Sequence, residues 1–128
     1  MVRKVTKNEA SDYMKKAEEF LISAQDNLTK GRFNAAGFEA TQSIINANDA
    51  LTIYFLEQRA SKDHKEAVKL HVDVVRVIND SSGRQILKNA LEARSEVGYL
   101  GRAITQGEAQ SLVRSAIKFV EWVKRFLK

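Results

Sequence analysis

Residues 34–59 read NAAGFEATQSIINANDALTIYFLEQR. Apolar side chains recur in this segment every three or four residues, which is the spacing of an α-helix. They are Ala36, Ala40, Ile44, Ala47, Leu51, Tyr54 and Phe55, widened beyond one face by Phe38, Ile45, Ile53 and Leu56. So broad a stripe predicts a central helix with contacts on several sides. Asn34 is predicted to cap its start, because its side-chain oxygen can accept from the free N–H groups of the first turn.

Further helices are predicted on both sides of this segment. Thr6 and Glu9 have the spacing of a capping box, and an apolar stripe then continues to Lys30. The short turn at residues 31–33 predicts that the central helix returns antiparallel to the first. A third helix is predicted to begin after Asp63, a fourth to include Ile86 through Val97 and Leu100, and a fifth to begin at a second capping box, Thr105 and Glu108.

Composition limits the class of protein. With 128 residues, the chain is long enough for one domain, residues 1–128, and short for two. It contains no cysteine, which excludes disulfides, thiolate chemistry and cysteine-based zinc sites. The net charge of +5 is spread among 16 acidic residues, so charge alone does not predict nucleic-acid binding. The N-terminus lacks the apolar run of a signal peptide and no segment is apolar enough to span a bilayer, so we expect a cytoplasmic protein.

Polar residues interrupt the second half of the central helix. Asn46 and Asp49 are three residues apart and share a face, with Asn48 and Thr52 beside them. A buried carboxylate needs a cation or several hydrogen-bond donors. Three interpretations follow: a satisfied buried network that fixes helix register, a polar ligand pocket, or simple exposure to solvent.

Partners for such an acid occur later in the chain. Arg59 and His64 flank the junction of the second and third helices, and Arg94 is the charged residue on the apolar stripe of the fourth. An arginine among apolar neighbours pairs with a carboxylate or binds an anion, because its forked donors match both. We therefore predict that Arg94 pairs with Asp49 or another core acid.

The two histidines have different surroundings. His71 lies on the apolar stripe of the third helix and is predicted at the edge of the core, whereas His64, at the helix start, is a candidate for acid–base or phosphate contact. Two histidines without a carboxylate cluster do not predict a metal site. No glycine-rich phosphate loop is present. We predict no metal and no cofactor.

The last helix carries an aromatic stripe. Phe119, Trp122 and Phe126 lie about a quarter turn from its aliphatic face. This stripe is predicted either to widen the core or to meet a second subunit, since exposed aromatic patches usually mark interfaces.

Several segments together resemble the HEPN domain over nearly the whole chain. They are GRFNAAGFEATQS at residues 31–43, ALTIYFL at 50–56, RASKDHKEA at 59–67, RSEVGY at 94–99 and ITQGEA at 104–109. The resemblance implies an all-α, up-and-down antiparallel four-helix bundle with a fifth helix. It also implies a homodimer, often encoded beside a small nucleotidyltransferase, as in toxin–antitoxin pairs.

Many members of that family are ribonuclease toxins that use an arginine and a histidine separated by four to six residues. Arg59 and His64 fit this count, but at the junction of helices two and three, whereas the motif is expected near the later helix. There, Arg94 is followed after four residues by Tyr99 in place of the histidine. The resemblance carries over Arg94 and Tyr99, and Asp63 and His64, as pocket-forming residues.

We therefore predict a helical module that binds a nucleotide or a nucleotidyltransferase partner through a pocket of Asn46, Asp49, Asp63, His64, Arg94 and Tyr99. One alternative is a metal-independent endoribonuclease, with His64 as general acid or base and Arg59 or Arg94 stabilising phosphorane charge. Another is a purely structural interaction protein that works through its aromatic stripe.

Overall fold

The computed structural model describes residues 2–61, 63–95 and 102–127. The chain begins with strand β1 (Val2–Lys4) and a 3₁₀ turn (Lys7–Glu9), and its elements continue in the order α1 (Ala10–Thr29), α2 (Phe33–Leu56), β2 (Gln58–Ala60), α3 (His64–Ile78), α4 (Arg84–Arg94) and α5 (Gln106–Phe126). The predicted all-α fold with five helices is confirmed. In the described ranges, every helix falls short of the length and apolar content that a bilayer crossing requires.

Helix α2 lies at the centre of the bundle and packs against each of the other four helices. Its wide distribution of apolar residues explains this, because Ile44 and Leu51 are fully buried on one face of the helix and Ile53 is fully buried on the opposite face. Helix α1 is its most extensive neighbour. The two are joined through Gly31, whose φ of +77° is a conformation that glycine adopts without strain.

The helix starts largely follow the sequence signals. Thr105 accepts from the Glu108 N–H at 3.2 Å and donates its own N–H to the Glu108 carboxylate at 3.0 Å, which forms the predicted capping box. Asp63 caps α3 by accepting from the Lys65 N–H at 2.8 Å. Thr6 donates to Glu9 at 3.2 Å, but this pair precedes the 3₁₀ turn and not α1 itself.

Asn34 does not cap α2, contrary to the prediction. The helix begins at Phe33, with Arg32 at the N-cap position two residues before Asn34, and the Asn34 side chain accepts instead from the Ile104 N–H at 2.7 Å. Ile104 also packs on Gly37, where a Cβ atom would lie 2.8 Å from the Ile104 side chain. These two contacts fix the start of α5 against α2, which explains why Asn34 is used there.

A short two-stranded antiparallel sheet between the N-terminal residues and the segment after α2 was not predicted. The helix stops at Leu56, and Glu57 adopts a left-handed conformation with φ of 53°. Residues Gln58–Ala60 then pair antiparallel with Val2–Lys4. Three-residue strands are too short to show an alternating pattern, so the sequence offered no signal. The pairing holds Arg59 opposite Arg3 and fixes the chain between α2 and α3.

Two of the three residues in the aromatic stripe lie in the core of the single chain. Phe119 is fully buried and Trp122 is 3% exposed, and both rings pack near His71 from α3. Phe126 is half-buried and contacts Trp122 edge to face. The stripe therefore widens the core, and a second subunit would find only the Phe126 ring accessible. Self-association there stays a prediction.

Candidate functional site

A cavity of about 480 Å³ opens between α1, α2, α4 and the segment that leads into α3. Four polar residues of α2 line one wall: Gln42, Asn46, Asn48 and Asp49. The opposite side is formed by Arg59, Ser61, Asp63, His64 and Arg94. Ile45, Leu87 and Leu91 supply apolar surface. Five of the six residues predicted to form a pocket thus line one cavity. Tyr99, the sixth, lies outside the described residues.

Asp49 is mostly buried at this cavity. Burial raises the pKa of its carboxyl from 3.8 to about 7, and the nearby charges of Arg59 and Lys16 only partly oppose that rise. Within the described ranges, the carboxyl accepts no hydrogen bond, whereas the Asp49 backbone oxygen accepts from Thr52 at 3.2 Å. The acid is therefore close to half-protonated at neutral pH and available to a ligand.

Arg59 is half-buried beside Asp49. Its Nη1 donates to the Ala60 carbonyl at 3.3 Å, and its guanidinium carbon lies 5.4 Å from the centre of the Tyr13 ring. The Nε atom is buried and has no hydrogen-bond partner among the described residues. A buried donor without an acceptor is costly, so this N–H is suited to an acceptor on a bound molecule.

Arg94 does not pair with Asp49, which corrects the sequence-based prediction. Its Nη1 donates to the Gln42 side chain, and its guanidinium carbon lies 4.8 Å from the centre of the Phe38 ring. A neutral amide and an aromatic face therefore hold this cation in place of a carboxylate. Among the described residues, no carboxylate forms a salt bridge with this guanidinium.

Asn48 connects the cavity wall to the core. The fully buried His71 donates from Nδ1 to Asn48 Oδ1 at 2.8 Å. Burial and the positive charge of Arg84 lower the pKa of His71 to about 4, so the ring is neutral at physiological pH. His71 was predicted at the edge of the core and lies fully inside it.

His64 and Asp63 lie at the rim of the cavity. Both are exposed, and Asp63 is already engaged as the N-cap of α3. His64 is free of hydrogen bonds to the described residues and can contact a ligand at the entrance. Within the described ranges, no cluster of three or more His, Asp or Glu residues is arranged to hold a metal ion.

The sequence-based prediction missed Gln42, Tyr13 and Lys16. Gln42 is seven residues before Asp49, two helical turns along the same face, and this spacing could have identified it. Tyr13 lies on α1, and its ring is close to two cations, Arg59 and Lys16. Only the fold brings these groups together, because α1 and β2 are distant in sequence.

The arrangement combines two guanidinium groups, a carboxyl that can accept or donate a proton near neutral pH, and side-chain amides. Guanidinium groups recognise phosphates and carboxylates, while amides and a carboxyl recognise the polar edge of a heterocycle. The cavity is therefore suited to a small anion attached to a polar ring. A HEPN domain model matches residues 10–126 of the chain. None of the curated proteins matches it.

Proposed function

The chain belongs to the HEPN family, and from that premise we propose that it binds a nucleotide in the cavity between α2, α4 and the start of α3. HEPN domains are linked to nucleotide-related, ribonuclease and toxin–antitoxin roles. One observation carries the proposal. A single 480 Å³ cavity holds two arginines and a buried carboxyl that lacks hydrogen-bond donors in the described part of the chain.

The phosphate is assigned to the arginines. Arg59 offers a buried Nε–H without an acceptor, and Arg94 is held in position by Gln42 and Phe38. A cation that is already fixed loses little side-chain entropy when it binds an anion. Two such groups at one cavity favour a phosphate, whose oxygens can accept from both.

The base is assigned to the wall formed by α2. Asn46 is buried, forms no side-chain hydrogen bond to the described residues and lies on the same helix face as Asp49. A carboxyl whose pKa is about 7 can serve a ring nitrogen in either protonation state. The apolar surface of Ile45 and Leu91 provides contact for the face of a ring.

The direct test is calorimetric titration of the full chain with nucleoside monophosphates and, separately, inorganic phosphate. A bound ligand also raises the melting temperature, since it stabilises only the folded state. We expect binding by the parent and none by an Asp49→Ala variant that remains folded. The proposal is wrong if no nucleotide binds the parent or raises its melting temperature.

A metal-independent endoribonuclease is the second candidate. Arg59 and His64, separated by four residues, line the same cavity, so this arginine–histidine pair is close to one potential substrate. In this reaction His64 is the general acid or base and Arg59 stabilises charge on the phosphorane. RNA cleavage in the presence of a chelator, abolished by His64→Ala, would support this function, and cleavage that survives the substitution would remove the assignment.

A protein partner is proposed on family grounds. HEPN resemblance implies a homodimer and a small nucleotidyltransferase encoded nearby, as in toxin–antitoxin pairs. Light scattering tests the dimer, and co-purification with a nucleotidyltransferase encoded by an adjacent reading frame tests the partner. A monomer at micromolar concentration that retains no such enzyme would contradict both proposals.

A further inference from the structure

Two side-chain amides at the cavity have their oxygen atoms already engaged. Gln42 Oε1 accepts from Arg94 Nη1, and Asn48 Oδ1 accepts from His71 Nδ1 at 2.8 Å. An amide carries one acceptor oxygen and an NH₂ group with two donors. Neither NH₂ group has a hydrogen-bond partner in the described part of the chain. The NH₂ groups of Gln42 and Asn48 are therefore available to donate hydrogen bonds to a ligand.

The orientation of Asn48 is held from inside the core. The neutral His71 ring lies near Phe119 and Trp122, with ring centres 6.2 and 5.6 Å away. Its Nε2 is buried and has no partner among the described residues. The structure places the Asn48 oxygen toward Nδ1, which puts the imidazole proton on Nδ1 and directs the amide NH₂ group away from His71. Breaking this buried hydrogen bond would leave both partners unpaired, so the contact holds the amide in place.

Asn48 and Asp49 are consecutive residues that both line the cavity. The first offers a donor, and the second, when ionised, offers only acceptors. A donor beside an acceptor complements a carbonyl oxygen beside a ring N–H. Guanine and uracil carry that pair on their base-pairing edge, whereas adenine and cytosine carry an amino group beside an unprotonated ring nitrogen.

We propose that the cavity selects bases with a carbonyl oxygen beside a ring N–H over bases with an amino group, with His71 and Arg94 as the positioning residues that fix the two amides. This inference rests on the nucleotide-binding function proposed above. When the phosphate on Arg59 and Arg94 holds every nucleotide in the same orientation, an amino base places its NH₂ group against the NH₂ of Asn48, which leaves donors on both sides unpaired. Unpaired groups in a polar site discriminate strongly between ligands of the same shape.

The test compares two pairs of ligands by calorimetry at pH 8, where Asp49 is mostly ionised: GMP against AMP, and UMP against CMP. Within each pair, the ribose and phosphate are the same and the ring system has the same size. We expect GMP and UMP to bind about tenfold more tightly than their partners. If no nucleotide binds, the proposed function itself fails. Equal affinity within both pairs would overturn the selectivity and leave nucleotide binding intact.

Substitutions at the positioning residue His71 and at the amide of Gln42 separate amide orientation from general stability. His71→Asn places an N–H close to the position of Nδ1, while His71→Gln places it near Nε2 and releases the Asn48 oxygen. We expect the tenfold preference to persist in the first variant and to approach unity in the second. Gln42→Met, at a half-exposed position, removes the other amide without disturbing the core. A preference unchanged in both His71→Gln and Gln42→Met would show that amide orientation does not set it.

Discussion

Arg59 lowers the pKa of Asp49 more than any other charge does, yet their side chains stop short of a salt bridge. Each group retains hydrogen-bonding capacity that the described residues leave unused, since the Asp49 carboxyl accepts no bond and the Arg59 Nε donates none. A closed ion pair would satisfy both groups and remove them from any site. Their separation is what makes the cavity a candidate binding site and not a structural network.

The planar, forked guanidinium group of Arg59 is expected to contribute to nucleotide affinity beyond what its positive charge alone provides. Arg59→Lys keeps a cation but removes the planar fork and the buried Nε–H, so nucleotide affinity should fall by about tenfold. Titration calorimetry measures this change. Arg114→Lys, at an exposed position of α5, is the matched control and should leave affinity unchanged. Equal effects of the two substitutions would remove Arg59 from the site.

Local signals in the sequence predicted much of the fold. The caps at Asp63 and Thr105 depend on neighbours within three residues, and the apolar stripes of the helices depend on a fixed period. The two-stranded sheet that positions Arg59 depends on pairing between residues 2–4 and 58–60, and no local sequence pattern predicts a pairing over that distance.

The sequence predicted which residues contribute to the candidate site, but not which of them contact one another. The polar residues of α2 were evident because they interrupt an apolar stripe. Their partners could not be identified, because the guanidinium of Arg94 can donate a hydrogen bond to the carboxylate of Asp49 or to the amide oxygen of Gln42. Only the relative rotation of α2 and α4 decides between an acid and an amide, and that rotation comes from packing over the whole core.

Gly83 is expected to tolerate no side chain. A Cβ atom there would lie 2.7 Å from the Trp122 ring and 2.9 Å from Phe119, both of which are buried. Gly83→Ala should lower the free energy of unfolding by about 1–3 kcal/mol through overpacking. Urea titration followed by tryptophan fluorescence measures the loss. Gly107→Ala, in the first turn of α5 with open space around it, should instead be neutral or stabilise by up to about 1 kcal/mol.

Asp49→Asn is expected to stabilise the protein at alkaline pH. The pKa of Asp49 is raised by burial from 3.8 to about 7, so the folded state holds a proton that the unfolded state has released. The wild-type protein therefore loses stability as pH rises from about 4 to 7, by up to about 4 kcal/mol from this group. The variant should lack that loss. Urea unfolding at pH 4 and pH 8 measures the difference between the two proteins.

The matched control for that substitution is Asp73→Asn on α3. The side chain of Asp73 is 33% exposed and forms two long ion pairs, 3.9 Å to Lys69 and 3.6 Å to Arg76. Its removal should change the free energy of unfolding by less than about 1 kcal/mol. If Asp49→Asn showed no greater dependence on pH than Asp73→Asn does, the carboxyl of Asp49 would not be desolvated as described.

His71 and Asp49 are expected to give opposite dependences of stability on pH. Folding lowers the pKa of His71 from 6.5 to about 4. Between these two values the unfolded state is protonated at this residue and the folded state is not. The free energy of unfolding therefore rises by about 3 kcal/mol between pH 4 and 6.5. The contribution of Asp49 to the free energy of unfolding falls with pH over nearly the same range, because its pKa is raised in the folded state. Relative to wild type, the free energy of unfolding should therefore rise with pH in Asp49→Asn and fall with pH in His71→Asn. Urea unfolding of the three proteins between pH 4 and 7 measures these differences, and parallel curves would contradict the burial assigned to both groups.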